Sequence, residues 1–402
     1  MSDFIAHSLK AAKLQNRGDL APAMIHYQAA HRAEPLNLSG LFNVISCAYH
    51  LGDWKLHKLY MDKAAAIAPD HPNLSYVNAN YLLLKGDYAA GFAAYEARMK
   101  TGYMAGQKII KWREKLAAIP ELTANMLHSG ALEHKSVLIL TEQGHGDIMM
   151  FLRFLPMLAS HGFQISFLNF KPALIPLLEQ QDLPCHLLKI GDEITPPAAH
   201  ASLLSLAHIL SLETPRAVPP PFSFKPSLAA IDKFQTRKDI RKIGLVASGQ
   251  TQNYWNNLRA LPLEKLANAV RAALSPAPHI KLVHLQYQPR ESDQEFLNHA
   301  DWIEDWGASI TNFDDAAGAI YDLDLIITID TATAHLAASM GKPCFIMLPF
   351  VPDWRWGIGG LGGLEQTHSS WYPEARLFRQ KQLDDWDSAL AQLTQSLQNF
   401  FE

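Results

Sequence analysis

Leu325-Ile-Ile-Thr-Ile-Asp330-Thr-Ala-Thr-Ala-His335-Leu-Ala-Ala-Ser-Met-Gly341-Lys-Pro-Cys344-Phe-Ile-Met-Leu348 is the stretch that decides the fold. Leu325 to Ile329 is a short apolar run of the kind buried in a parallel sheet. Asp330 and Thr331 are helix-capping types, and Gly341-Lys-Pro is a stop before a second apolar run. The pattern predicts strand, helix, strand. A helix that opens at the carboxyl end of a parallel strand aims free N–H groups and a partial positive charge into the crevice where such sheets bind ligands. The turn Thr331-Ala332-Thr333, with Asp330 before it and His335 after it, therefore suits a phosphate or diphosphate. Plain capping would use the same Asp-Thr pair, so the motif alone leaves both readings open.

Composition narrows the class. The chain of 402 residues is 48% hydrophobic, enough for two or three domains with real cores. A formal net charge of −4 gives no electrostatic footprint for nucleic acid or for a polybasic membrane anchor. The start Met-Ser-Asp-Phe-Ile-Ala-His has no basic segment leading into an apolar one, and no run reaches the length of a membrane span. Cys47, Cys185 and Cys344 are scattered, forming neither a disulfide framework nor a metal motif. A soluble, reduced, cytoplasmic protein is expected.

The first hundred residues repeat. Gly18-Asp19, Gly52-Asp53 and Gly86-Asp87 are spaced 34 residues apart; Ala30 and Ala64 keep that period, as do Pro35 and Pro69. Each unit places one apolar helix before the Gly-Asp turn and one after it. The unit resembles the tetratricopeptide repeat, whose helix pairs stack into a curved array that holds a polypeptide segment or only stabilises its neighbour. Such an array, residues 1–115, is expected to be quasi-independent of the rest.

From about Ser136 the pattern changes to strand–helix alternation. Val137–Thr141, Phe163–Phe167 and Cys185–Lys189 read as strands of one sheet. Lys242–Ala247, Ile280–Gln286, Leu325–Ile329 and Cys344–Leu348 read as strands of another. Between them Pro215-Arg-Ala-Val-Pro-Pro-Pro-Phe-Ser-Phe-Lys-Pro226 is a semi-rigid connector. Two Rossmann-like halves, 130–225 and 240–402, joined in this way resemble the GT-B architecture, with a site in the cleft between them.

The first half opens with its own motif, Leu138-Ile-Leu-Thr-Glu142-Gln143-Gly144-His145-Gly146-Asp147, followed by Ile148, Phe151, Leu152, Leu155 and Leu158 at helical spacing. Gly144 and Gly146 let the backbone approach a ligand closely, and Asp147 stands at the helix start. Together with Asp330–His335 this motif makes the chain resemble the glycosyltransferase family 9 proteins, the heptosyltransferase-like group, in the subgroup fused to tetratricopeptide repeats. Further carriers of the resemblance are Gly244-Leu-Val-Ala-Ser248-Gly249 with Arg259, Asp353-Trp-Arg-Trp-Gly357, Ser370-Trp-Tyr-Pro373 with Leu377-Phe-Arg379, and Gly91-Phe-Ala-Ala-Tyr-Glu-Ala-Arg98.

The resemblance implies an inverting, metal-independent transfer from a nucleotide-diphosphate sugar, the donor being a co-substrate and no cofactor being needed. Asp147 would be the general base, and Asp330, Thr331, Ala332, Thr333 and His335 would hold the donor diphosphate. Arg259 is the preferred cation, because a guanidinium contacts phosphate oxygens bidentately. Ser248, Gly249 and Gln286 are weaker candidates for the nucleotide or sugar, with Gln143, Gly144, His145 and Gly146 lining the cleft. Two departures matter. His145 replaces a residue more often apolar in the family, and the segment Ser248, Gly249 and Asn253 through Arg259 stands where lipopolysaccharide heptosyltransferases carry a lysine. Asp322-Leu-Asp324 has the spacing of a Mg²⁺ pair but precedes its strand, on the side away from the cleft, so no metal site is expected. Trp354, Arg355 and Trp356 suit cation–π or sugar stacking, or loop packing. A protein acceptor chosen by the repeats, such as a bacterial surface protein or flagellin, is the first expectation, and a lipopolysaccharide or other glycan acceptor the second. A nucleotide-sugar epimerase and a non-catalytic repeat adaptor complete the alternatives.

Overall fold

The computed structural model describes residues 2–129, 135–236, 240–249, 255–274, 279–357 and 367–401. Three helix hairpins come first: α1 (Asp3–Gln15) with α2 (Leu20–Ala33), α3 (Leu38–Leu51) with α4 (Trp54–Ile67), and α5 (Pro72–Leu84) with α6 (Tyr88–Tyr95). Each Gly-Asp pair is the turn of one hairpin. Gly18, Gly52 and Gly86 have φ of 91°, 69° and 85°, a region that costs a residue with a side chain roughly 1 kcal/mol. The next residue folds back each time: the N–H groups of Asp19, Asp53 and Asp87 reach the carbonyls of Leu14, Ala48 and Leu82, all at 3.0 Å. Asp53 and Asp87 then cap the second helix through Leu56 N and Ala90 N.

The first α/β half is a parallel sheet of β1 (Ser136–Leu140), β2 (Gln164–Asn169), β3 (His186–Lys189) and β4 (Ala199–Ser202), ordered β3-β2-β1-β4. The second is a parallel sheet of β5 (Arg241–Val246), β6 (Ile280–His284), β7 (Ile303–Asp305), β8 (Leu325–Ile329), β9 (Cys344–Leu348) and β10 (Ala375–Arg379), ordered β10-β9-β8-β5-β6-β7. The chain order reverses between β1 and β4 in one sheet and between β5 and β8 in the other. Those are the points where doubly wound sheets open a crevice at their carboxyl ends. Helix hairpins followed by two Rossmann-like halves form the GT-B arrangement. The helix Trp386–Phe401 packs on the second half, sharing its core with β9 and β10.

Two sequence expectations are corrected. The predicted single helix from Ile148 to Leu158 is two, His145–Phe151 and Phe154–Ala159. Pro156 has no N–H to give to Leu152, which breaks the ladder at that turn. Nor does the third hairpin behave as a separate unit. Leu83, Leu84, Tyr88, Phe92 and Tyr95 belong to one buried cluster with Phe151 and Phe154 of the first half and Trp354 and Trp371 of the second. Trp371 is the joint. Its Nε1–H donates to Tyr88 Oη at 2.8 Å, and its carbonyl accepts from Arg153 Nη1 at 2.8 Å. The same guanidinium nitrogen donates to Pro219 O of the connector at 3.0 Å. No helix among the described residues is long and apolar enough to cross a membrane.

Candidate functional site

The two motifs meet. A Cβ added to Gly146 would stand 2.5 Å from His335 Cδ2 and 3.4 Å from Ala332 Cα, so the first turn of the helix His145–Phe151 lies against the first turn of Ala332–Ser339. This is the close approach for which glycine is required. His335 cannot yield easily. It is 4% exposed, accepts or donates through Nδ1 with Tyr372 Oη at 2.9 Å, and stacks on Trp356 with ring centroids 5.1 Å apart. Burial lowers its pKa to about 3, with Arg355 adding to the effect, so the ring is neutral. Gly146→Ala is therefore expected to destabilise the protein by about 1–3 kcal/mol, the usual cost of overpacking, in urea unfolding. An unchanged midpoint would mean that the two helix starts are not in fixed contact.

On the second half the helix head is open. Thr331 occupies the N-cap position but its side chain caps nothing; its hydroxyl lies 3.1 Å from Thr328 Oγ1. Asp330 is turned away from capping as well and meets Arg259 Nη1 at 3.4 Å. The two residues that made capping the simpler reading leave the first-turn N–H groups of Ala332 and Thr333 without a side-chain cap. At the neighbouring carboxyl ends of β5 and β6, Gln286 Nε2 donates to Gly249 O at 3.3 Å. Among the described residues Ser248 Oγ, Gln286 Oε1 and Arg259 Nε are buried polar atoms without a partner, an arrangement that suits a polar ligand or water. Asn253 lies outside the described residues.

On the first half Asp147 sits in the first turn of its helix with both oxygens engaged. Oδ2 accepts from Gly144 N at 2.7 Å, and Oδ1 is ion-paired with Arg355 Nη2. Burial raises the Asp147 carboxyl above its ordinary value, against the opposing pull of Arg355 and the Gly144 N–H. Gln143 holds a left-handed backbone, φ 58°, and its amide donates to Tyr95 Oη at 2.9 Å. A third-hairpin residue thus fixes a strained residue of the cleft loop. His145 rests on Phe313 with centroids 4.9 Å apart, and burial lowers its pKa to about 4.

Arg355 was visible in the sequence as part of a Trp-Arg-Trp motif, but its pairing with Asp147 was not. Only the fold brings these residues together. Tyr95 and Arg98 were carriers of the family resemblance with no role attached; here they hold the loop before Asp147. Asp322 and Asp324 lie before β8 as expected and are occupied there: Asp322 pairs with Lys242 Nζ at 3.0 Å, and Asp324 accepts from Lys242 N at 2.8 Å.

The fold and site define a two-domain α/β protein with a carboxylate and an open helix head facing each other across an interdomain cleft. No family model matches the chain. It is 25% identical, over an alignment of 435 positions, to Protein FlbA of Caulobacter vibrioides, covering 96% of this chain and 66% of FlbA. Among solved structures it is similar to the ADP-heptose lipopolysaccharide heptosyltransferase II of E. coli, with a TM-score of 0.48 and 13% identity over 66% of this chain and 100% of that one. It is also similar to the iron-containing dodecameric glycosyltransferase TibC of enterotoxigenic E. coli, with a TM-score of 0.42 and 15% identity over 55% of this chain and 59% of that one. The chain thus spans about two thirds of FlbA and 59% of TibC.

Proposed function

We propose that the protein is a glycosyltransferase that moves a sugar from a nucleotide-diphosphate donor to an acceptor hydroxyl with inversion and without a metal ion. The observation that carries this reading is the contact of Gly146 with Ala332 and His335, which sets Asp147 beside an uncapped helix head. Single displacement needs those two things at one place. Asp147 takes the proton of the acceptor hydroxyl as its oxygen attacks the anomeric carbon. The bond from that carbon to the diphosphate breaks, its electron pair leaves on the phosphate oxygen, and the configuration inverts. The N–H groups of the Thr331–Thr333 turn and the Arg259 guanidinium receive the leaving charge without a metal. Ser248 and Gln286, whose buried oxygens have no partner among the described residues, are assigned to the nucleotide or its ribose.

The acceptor enters from the side of the third hairpin. Tyr76 stacks on Tyr103 with centroids 6.3 Å apart and lies 5.7 Å from Tyr95, which itself bonds Gln143 of the cleft loop. Tyr103 is 57% exposed, so the helical array offers an aromatic wall beside the catalytic loop. This position supports an acceptor selected by the array, with a polypeptide as the preferred class.

A thermal-shift screen of nucleotide-sugars tests the donor assignment. A true donor raises the melting temperature by mass action, and the shift is expected to persist in EDTA. Turnover with that donor is likewise expected to survive chelation. Loss of activity in EDTA, restored by Mg²⁺ or Mn²⁺, would overturn the metal-independent reading.

A further inference from the structure

The two arginines of the cleft are placed differently. Arg259 pairs with Asp330 inside the second half, at 3.4 Å. Arg355 crosses the cleft and pairs with Asp147 of the first half. Its other amino group holds Asp353 Oδ1 at 2.8 Å, its Cζ lies 4.3 Å from the centroid of the Trp354 ring, and its Nε is buried without a partner among the described residues. Burial pulls its pKa down, but the Asp147 and Asp353 carboxylates push it well above the ordinary arginine value, so it is charged. For Asp147 this pairing is an obstacle. With Gly144 N on Oδ2 and Arg355 on Oδ1, both oxygens of the carboxylate are already engaged, and the cation opposes the rise in basicity that burial gives it. Yet Asp147 follows directly on Gly146, the residue that touches Ala332 at the head of the donor helix. The paired guanidinium therefore stands next to the place assigned to the diphosphate.

We infer that Arg355 is shared between Asp147 and the donor diphosphate: it holds the carboxylate while the site is empty and passes to the phosphate oxygens when donor binds. This rests on the transferase reading above. A diphosphate offers more negative charge and more acceptor oxygens than one carboxylate, and it matches the guanidinium fork, including the unpartnered Nε. The Trp354 ring lets the guanidinium turn while it stays stacked. One movement then supplies a second cation to the leaving group and frees Asp147 Oδ1 for the acceptor proton. The base becomes competent only with donor in place.

Binding measurements on the full chain test this. UDP, GDP, ADP, CDP and inorganic pyrophosphate are titrated calorimetrically into the wild type, Asp147→Asn, Arg355→Met, Arg355→Lys and the Asp147→Asn/Arg355→Met pair, each checked by melting temperature. Asparagine still accepts from Gly144 N but no longer holds the guanidinium. Asp147→Asn is therefore expected to tighten the best-bound probe about tenfold, and Arg355→Met to weaken it by a similar factor. Arg355→Lys is expected to keep part of the affinity. In the Arg355→Met background the gain from Asp147→Asn should vanish. A gain that persists there would be simple relief of repulsion between Asp147 and the anion, and would overturn the sharing. Unchanged or weaker binding by Asp147→Asn overturns it even if Arg355→Met fails to fold. Wild type that binds none of the probes would bring down the donor-site reading and this inference with it, whereas tight wild-type binding insensitive to these substitutions brings down this inference alone.

Discussion

Arg98→Ala is expected to lower the stability of the whole protein by about 3–5 kcal/mol, the cost of leaving one member of a buried ion pair alone. Arg98 follows α6 and has no exposed surface. It grips Glu142 with two bonds, Nε to Oε2 at 3.0 Å and Nη2 to Oε1 at 2.6 Å. The same guanidinium donates to Tyr95 O at 3.1 Å, Glu96 Oε1 at 2.8 Å and Ser205 Oγ at 2.9 Å. Glu142, also without exposed surface, is then left as an unpaired charge immediately before the cleft loop. The measurement is denaturant unfolding of Arg98→Ala beside Arg98→Met/Glu142→Leu, in which both charges are gone. The double variant is expected to recover most of the loss, because an apolar pair of similar volume removes the stranded charge. A single variant within about 1 kcal/mol of wild type would show that water reaches Glu142 and that the hairpin is only lightly attached. Truncation follows the same logic. Removing the first two hairpins, whose own core is largely separate, is expected to leave a folded body. Removal through residue 115 takes Tyr88, Phe92, Tyr95 and Arg98 out of the shared core and is expected to yield insoluble protein.

That contrast marks where the sequence stops being readable. The 34-residue spacing located the Gly-Asp turns because local chemistry, a left-handed glycine followed by a capping aspartate, is all that such a turn needs. β8 and β9 have the predicted bounds, since a continuous β-branched or apolar run closed by Asp or Pro admits one reading. β4 escaped because Ala199-His-Ala-Ser202 carries no strand pattern; it is a strand only because β1 lies beside it. β7, with three residues in the ladder, is too short to show a period. The candidate site divides in the same way. Asp147, Asp330 and the Thr331 turn announce themselves through position at a strand end. The Arg355–Asp147 and Arg98–Glu142 pairs join residues far apart in the chain, and charge alone did not say which cation meets which carboxylate.

Asp147→Asn is expected to lower turnover by at least about a hundredfold, the usual scale of a lost general base, in a protein that folds and binds donor. The substitution is nearly isosteric and keeps the acceptor for Gly144 N, so the helix start is preserved. What it removes is the proton acceptor. The effect should fall on kcat, since the acceptor hydroxyl loses its proton in the transition state and not on binding. The pH profile gives an independent check. The base acts only when ionised, and burial raises its pKa above the ordinary carboxylate value. Activity of the wild type should therefore rise with pH through a step displaced upward from the ordinary carboxylate value, and the step should be missing from whatever activity Asp147→Asn retains. Near-normal turnover in a well-folded variant, or an acid limb unaltered by the substitution, would remove Asp147 from the chemistry. It would then be a helix cap and an anchor for Arg355, and the proton would have to leave through another group of the cleft. His145 stands on the same turn, but burial lowers its pKa to about 4, which makes it a weak base at physiological pH and a poor substitute for the carboxylate.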